Sequence, residues 1–216
     1  MNTRVKICCI ASLEEAMDAI NFGASAIGLV GKMPSGPGVI DDALILNIAK
    51  SVPPPIGTFL LTSETSTDKI IGHHKITRTN TIQIVDGLSK GAYIELKQAM
   101  PGIKLVQVIH VIDKNSVDEA LEVSNFVDAI LLDSGNPNLK IKELGGTGRV
   151  HNWKISRKIR DKVSIPVFLA GGLTPENVRR AIEEVDPFGI DVCSSVRTEG
   201  KLDKRKLESF MKNTLF

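Results

Sequence analysis

Between Val5 and Cys193 short apolar runs alternate with longer mixed stretches, and the alternation repeats eight times. The runs are Val5 to Ile10 (VKICCI), Ala26 to Val30 (AIGLV), Ile56 to Leu61 (IGTFLL), Thr81 to Val85 (TIQIV), Lys104 to Val111, Ala129 to Asp133 (AILLD), Val167 to Ala170 (VFLA) and Gly189 to Cys193. Each is a nearly continuous apolar stretch, as expected of a parallel strand buried on both faces. The segments between them carry helix signals. Ser12 precedes Glu14 and Glu15, Asp41 or Asp42 caps a helix to about Ser51, and helices are predicted over Thr65 to Lys75, Gly91 to Met100, Asn115 to Ser124 and Trp153 to Arg160. Thr174-Pro175-Glu176-Asn177 opens the next, with Thr at the cap and Pro at the first helical position. Eight βα units in 216 residues leave about 27 residues each. The prediction is an α/β fold, a (β/α)8 TIM barrel, with residues 1–216 forming one domain. A doubly wound open sheet is the alternative, but no GxGxxG follows the first strand and no GxxxxGK[ST] occurs.

Composition narrows the function classes. With 42% hydrophobic residues the chain can bury a full core, and a net charge of +2 provides no basis for nucleic-acid binding. The charged block Lys201 to Lys206 reads as part of a solvated last helix. No run approaches the roughly 18 apolar residues of a membrane helix, and a strand that starts at Val5 leaves no room for a signal peptide. The three cysteines, all at strand ends, are expected to be free thiols in a reducing compartment, so the expected location is the cytoplasm. Outer barrel helices look alike whether solvated or paired, which leaves a homo-oligomer open.

In a barrel of this kind reactive groups belong at the C-terminal ends of the strands. The seventh and eighth strands end in Gly171-Gly172 and Ser194-Ser195, small residues whose N–H groups can converge on one anion. The first strand offers Cys8 and Cys9, and the sixth offers Asp133. Alternation along a strand predicts that if Cys8 looks into the barrel mouth, Cys9 looks out toward the helices. Lys6 shares the face of Cys8, where an inward ammonium would favour a thiolate. The longest stretch without periodicity, Ser134 to Asn152, contains Gly145-Gly146-Thr147-Gly148, and long loops in compact domains are usually functional. The four histidines show no ligand spacing, so a metal site is not expected.

Taken together, these segments resemble the phosphoribosylanthranilate isomerase family of tryptophan biosynthesis. VKICCI followed by GASAIGLV is similar to that family's opening VKICGI and GADAIGLV; LLDSGNPNLKIKELGGTGRVHNW, LAGGLTPENV and GIDVCSSVRTEGKLD are similar to its later segments. The resemblance implies an Amadori rearrangement of an aminoaldose phosphate to an aminoketose phosphate, without metal or cofactor. Carried over residue by residue, Cys8 matches the general base and Asp133 the general acid. Gly171, Gly172, Ser194 and Ser195 match the phosphate-binding ends, and Gly146, Thr147 and Gly148 match the loop near the substrate. In water both reacting groups are in the wrong state: an ordinary thiol is only a few per cent thiolate at pH 7, and a carboxyl is roughly 0.1% protonated. Half-protonating Asp133 at pH 7 requires raising its pKa by about 3, on the order of 4 kcal/mol.

The sequence departs from the family pattern at several positions. Cys9 stands where the family usually has Gly. The loop after the second strand usually reads Ser-Pro-Arg, with the arginine meeting substrate, whereas Ser35-Gly36-Pro37-Gly38 has none. Ile84-Val85-Asp86 replaces Leu-His-Gly after Gln83, and Asn152 replaces an Asp before Trp153. Lys32, Arg149 and Arg197 are the candidate cationic substrate contacts that could replace the missing arginine. The competing readings are an isomerase of a related aminoaldose phosphate and a non-catalytic barrel that binds a phosphorylated ligand.

Overall fold

The computed structural model describes residues 3–214. Eight parallel strands close into a barrel in sequence order: β1 (Arg4–Ile7), β2 (Ala26–Val30), β3 (Gly57–Thr62), β4 (Thr81–Ile84), β5 (Lys104–His110), β6 (Ala129–Asp133), β7 (Val167–Leu169) and β8 (Gly189–Val192). β8 pairs back onto β1 with Lys6 opposite Asp191 and Ile7 opposite Val192. The helices between them are α1 (Leu13–Asn21), α2 (Asp42–Ser51), α3 (Thr67–Thr77), α4 (Lys90–Ala99), α5 (Asn115–Val123), α6 (Trp153–Lys162) and α7 (Val178–Val185). A short hairpin, β9 (Arg197–Thr198) with β10 (Lys201–Leu202), and α8 (Lys204–Lys212) complete the described chain. No helix among the described residues is long and apolar enough to cross a membrane.

The strands carry apolar side chains on both faces because two cores must be filled. Ile7, Ile27, Leu29, Leu60, Ile82, Ile109, Ile130, Leu132, Leu169 and Ile190 are buried in the layer against the helices. Ala26, Val30, Phe59, Leu61, Val106, Val108, Leu131 and Phe168 fill the barrel itself, where Phe59 and Phe168 meet edge to face at 6.0 Å. Gly28 of β2 lies beside Lys6 and Cys8. A Cβ there would stand 2.8 Å from the Cys8 sulfur and 3.0 Å from the Lys6 ammonium, so a glycine makes room for both side chains.

Local signals account for most boundaries. Ser12 accepts from the N–H of Glu15, Asp41 from Leu44 and Asn152 from Lys154, each capping the helix that follows. Two expectations shift. The seventh helix begins at Val178, after a turn over 175–177, because Asn177 accepts from the Thr174 N–H and donates to the Gly172 carbonyl; its side chain ties the helix start to the loop after β7. The charged block at 201–206 is divided between the hairpin and α8, with Asp203 accepting from the N–H groups of Arg205 and Lys206 as the cap.

One buried ion pair ties the hairpin to the first βα unit. The Arg197 guanidinium pairs with the Glu15 carboxylate at 3.1 Å, both side chains largely buried, and donates to the carbonyls of Cys8, Cys9 and Gly200. Glu15 also accepts from the N–H groups of Ala11 and Leu202. Burial alone would push the Glu15 carboxyl up; the bonds from Arg197, Leu202 and Ala11 outweigh it and hold the group below its ordinary value. Stability from this lowered pKa is therefore present above about pH 4.5 and is lost as pH falls through the folded value. Glu15→Ala, which leaves Arg197 buried without its carboxylate, is expected to lower the unfolding free energy by about 3 kcal/mol at pH 7, read by urea denaturation. A loss under about 0.5 kcal/mol would show that the pair does not hold the hairpin in place.

Candidate functional site

The mouth of the barrel at the C-terminal strand ends holds a cleft of about 730 Å3, including its opening. Its walls come from seven strand ends and loops, and its lining includes the thiols of Cys8, Cys9 and Cys193, the carboxyls of Asp133 and Asp191, and the amide of Gln83. The loops after β2 and β6 meet above it. Ser35 donates to the Lys142 carbonyl at 2.6 Å, and Gly146 lies so close to Pro37 that a Cβ would approach its ring to 2.6 Å.

Cys8 follows β1 directly, is buried, and lines the cleft. Its N–H donates to the Val192 carbonyl at 2.8 Å, extending the β1–β8 ladder past the last strand residue. Lys6 points inward as expected, but its first partner is Asp191. The two lie 2.8 Å apart inside the barrel, with Lys6 fully buried. Burial alone would pull the Lys6 ammonium down; the Asp191 carboxylate, with Cys8 as a further neighbour, outweighs that and holds it above its ordinary value.

The expected outward orientation of Cys9 is not observed. β1 ends at Ile7, so strand alternation does not extend to Cys9, and its backbone is left-handed at φ 61°, where glycine is the usual occupant. That turn swings its side chain back into the cleft lining, where its sulfur lies 2.6 Å from the Cys193 sulfur. Three free cysteines thus gather near the β1 and β8 ends.

Asp133 closes β6 and is buried, accepting from the Ser134 N–H at 2.7 Å. Desolvation pushes its carboxyl above the ordinary value, and the charge of Asp191 adds to the rise; the Ser134 N–H and His110 oppose it. His110, at the end of β5, sends Nε2 to the Val85 carbonyl at 3.1 Å, so that nitrogen carries the proton and Nδ1 has no partner. Asp191 and Gln83 were not among the candidate residues taken from the sequence. Both line the cleft, and the Gln83 Oε1 is buried without a partner. A signal for Asp191 was available: it is a carboxylate inside the apolar strand GIDV, the same oddity that marks Asp133 in AILLD.

Three loops converge on one edge of the cleft. Gly171 and Gly172, after β7, have φ of 81° and 62°, and a Cβ on Gly172 would stand 2.6 Å from the backbone of Arg149 and Val150. Gly148, also left-handed, lies against Ser194, which starts a single 3-10 turn over Ser194–Val196 after β8. Glycine and serine keep this edge free of bulk, so main-chain N–H groups can face an anion. Ser195 stands outside the cleft lining with its hydroxyl buried and unpartnered. Thr147 lines the cleft, and its hydroxyl shares a hydrogen bond of 2.7 Å with Ser134, linking this loop to Asp133. Behind the edge, His151 bonds Ser156 at 2.7 Å, and burial depresses its pKa to about 4.

The three candidate cations are placed differently. Arg197 is committed to Glu15 and the carbonyls of the β1 loop and does not line the cleft, because pairing with a buried carboxylate satisfies its charge. Arg149 is exposed on the β6 loop and pairs with Glu143. Lys32 is exposed on the β2 loop and makes no ion pair among the described residues. No group of three or more His, Cys, Asp or Glu among the described residues is arranged to hold a metal ion.

A family model described as N-(5'phosphoribosyl)anthranilate (PRA) isomerase matches residues 5–213. N-(5'-phosphoribosyl)anthranilate isomerase 2 of Methanosarcina mazei is 37% identical over 218 residues, covering 99% of this chain and 96% of that protein. The enzyme of Methanocella arvoryzae is 32% identical, covering 97% and 96%. Among solved structures, the phosphoribosyl anthranilate isomerase of Thermotoga maritima superposes with a TM-score of 0.84 at 30% identity, covering 98% of both chains. An isomerase in complex with reduced 1-(o-carboxyphenylamino)-1-deoxyribulose 5-phosphate superposes with a TM-score of 0.82 at 28% identity, again covering 98% of both. The chain belongs to the N-(5'-phosphoribosyl)anthranilate isomerase family.

Proposed function

We propose that this chain catalyses the Amadori rearrangement of N-(5-phosphoribosyl)anthranilate to 1-(2-carboxyphenylamino)-1-deoxyribulose 5-phosphate, with Asp133 as general acid and Cys8 as general base. The observation that carries the reading is their convergence. A buried carboxyl from β6 and a buried thiol from β1 line one cleft, whose edge is formed by the small-residue ends after β6, β7 and β8. Asp133 protonates the furanose ring oxygen and the ring opens to an imine. Cys8 then removes the proton from the adjacent carbon, leaving an enolamine that tautomerises to the ketone. Protons move only between substrate and these two groups, so the step requires no cofactor.

The environment supports this assignment. A general acid must hold its proton near neutral pH, and desolvation together with the neighbouring Asp191 raises Asp133 in that direction. Gly171, Gly172, Gly148 and Ser194 receive the 5′ phosphate in this reading, and the Gln83 Oε1 offers a buried acceptor to a substrate hydroxyl. The anthranilate carboxylate requires a cation; Lys32 and Arg149, on the two loops that meet over the cleft, are proposed for it in place of an arginine after β2. A cytoplasmic location, in keeping with three free thiols, belongs to the same proposal.

Decay of phosphoribosylanthranilate fluorescence on addition of the protein, and rescue of a tryptophan auxotroph lacking the isomerase, test the reaction itself. No decay at micromolar protein would favour a related aminoaldose phosphate or a binding role. Cys8→Ser and Asp133→Asn are each expected to lower kcat by about 10²- to 10⁴-fold, whereas Cys9→Ser keeps kcat within several-fold; the reverse ranking would reassign the base. The sign of the pH dependence follows from Asp133. It acts protonated, so kcat falls as pH rises through its elevated pKa. Asp191→Asn removes a like charge and leaves the Lys6 ammonium uncompensated, both lowering Asp133, so the alkaline limb of kcat should move to lower pH. A limb that stays in place would remove Asp133 as the titrating acid. For the substrate carboxylate, the Lys32→Ala/Arg149→Ala double variant should raise KM about tenfold or more, the loss of one charge-assisted bond; an unchanged KM would exclude both cations.

A further inference from the structure

The sulfurs of Cys9 and Cys193 lie 2.6 Å apart at the barrel mouth, and neither has a place in the rearrangement described above. Their approach is a product of the fold. β1 and β8 are paired neighbours whose register sets Ile7 against Val192, so the residues that follow them leave the sheet side by side. Continued alternation would send Cys9 into the helical layer, but its left-handed backbone turns the side chain back toward β8. Both ends of this arrangement are held. The buried Arg197 guanidinium donates to the Cys8 and Cys9 carbonyls, and the β2 loop presses on Cys9 closely enough that Gly38 leaves no room for a Cβ beside the Cys9 side chain.

We propose that Cys9 and Cys193 form an oxidation site of this protein, joining in a reversible intramolecular disulfide when the native chain meets a peroxide, while Cys8 stays a free thiol. A bond between them requires only a small adjustment of side chains already in contact. Both sulfurs line an open cleft, and Cys193 is the more exposed, so a small oxidant reaches Cys193 first. Their shared hydrogen bond and the nearby Arg197 guanidinium hold the Cys193 thiol below its ordinary range, which makes it the nucleophile of the pair. The Cys193 thiolate attacks one peroxide oxygen; the O–O bond breaks and hydroxide leaves, giving a sulfenic acid. The Cys9 sulfur then attacks the Cys193 sulfur, the S–O bond breaks, and the Cys9 proton leaves with the oxygen as water. Overall, two thiols and one hydrogen peroxide give one disulfide and two waters. A dithiol reductant returns both thiols.

The test uses the whole folded protein treated with a small excess of hydrogen peroxide, then denatured and alkylated. The expected thiol count falls from three to one and returns to three with dithiothreitol. Tryptic mapping should find the peptide containing Cys193 crosslinked to the one containing Cys8 and Cys9. Because those two share a peptide, the crosslink should persist in Cys8→Ser and vanish in Cys9→Ser. A crosslink that persists in Cys9→Ser would overturn the proposal, as would one that joins two chains. So would oxidation of Cys193 to sulfinic acid with the thiol of Cys9 intact. The wild-type map alone decides whether a crosslink forms, whatever the folding of the variants.

Discussion

Lys6 and Asp191 face each other across the seam where the eighth strand meets the first, 2.8 Å apart in the interior of the barrel. Placing either charge there alone would be costly, and leaving one behind after removal of the other typically costs about 3 to 5 kcal/mol. The pair therefore constrains everything around it. It marks the register that closes the sheet, it requires a residue without a side chain at Gly28, and it sets a fixed positive and a fixed negative charge below Cys8 and beside Asp133. The acid and the base of the proposed reaction stand above this fixed pair of opposite charges.

Around that seam the structure divides its tasks by residue size. Large apolar side chains fill the two cores, and the strand ends carry the few polar groups. The loops that complete the cleft are rich in glycine, proline and serine, because a Cβ would run into the Pro37 ring at Gly146, into the side chains of Ser134 and His151 at Gly171, and into the backbone of Arg149 and Val150 at Gly172. In the proposed function, anion recognition there relies on main-chain groups, which need no ordering of long side chains on binding. The Arg197–Glu15 pair lies one shell further out. It holds the carbonyls of Cys8 and Cys9 and so fixes the loop on which the thiols sit.

Cys9 shows what that rigidity permits. A non-glycine residue in the left-handed region costs on the order of 1 kcal/mol or more, and persists only where its surroundings over-determine it. Here the guanidinium on its carbonyl, the β2 loop against its Cβ and the Cys193 sulfur against its own all favour the same conformation.

The repeat, the (β/α)8 class and most helix starts were legible in the chain, because apolar runs, caps and glycine stops are local quantities; β2 and β6 begin and end where the runs do. Cys8, Asp133, Gly171, Gly172 and Ser194 were legible as strand-end residues because a parallel barrel presents its chemistry at one end. What escaped depends on contacts between segments far apart in sequence. Alternation gave the wrong side for Cys9, since only tertiary structure decides that the strand stops at Ile7 and the chain turns left-handed. Arg197 looked like a free cation until its partner, 182 residues away, was in place. Asp191 gained its meaning from Lys6 and Asp133, whose proximity no spacing encodes. Local pattern determined which elements form; the closure of the ring decided which charges and thiols meet.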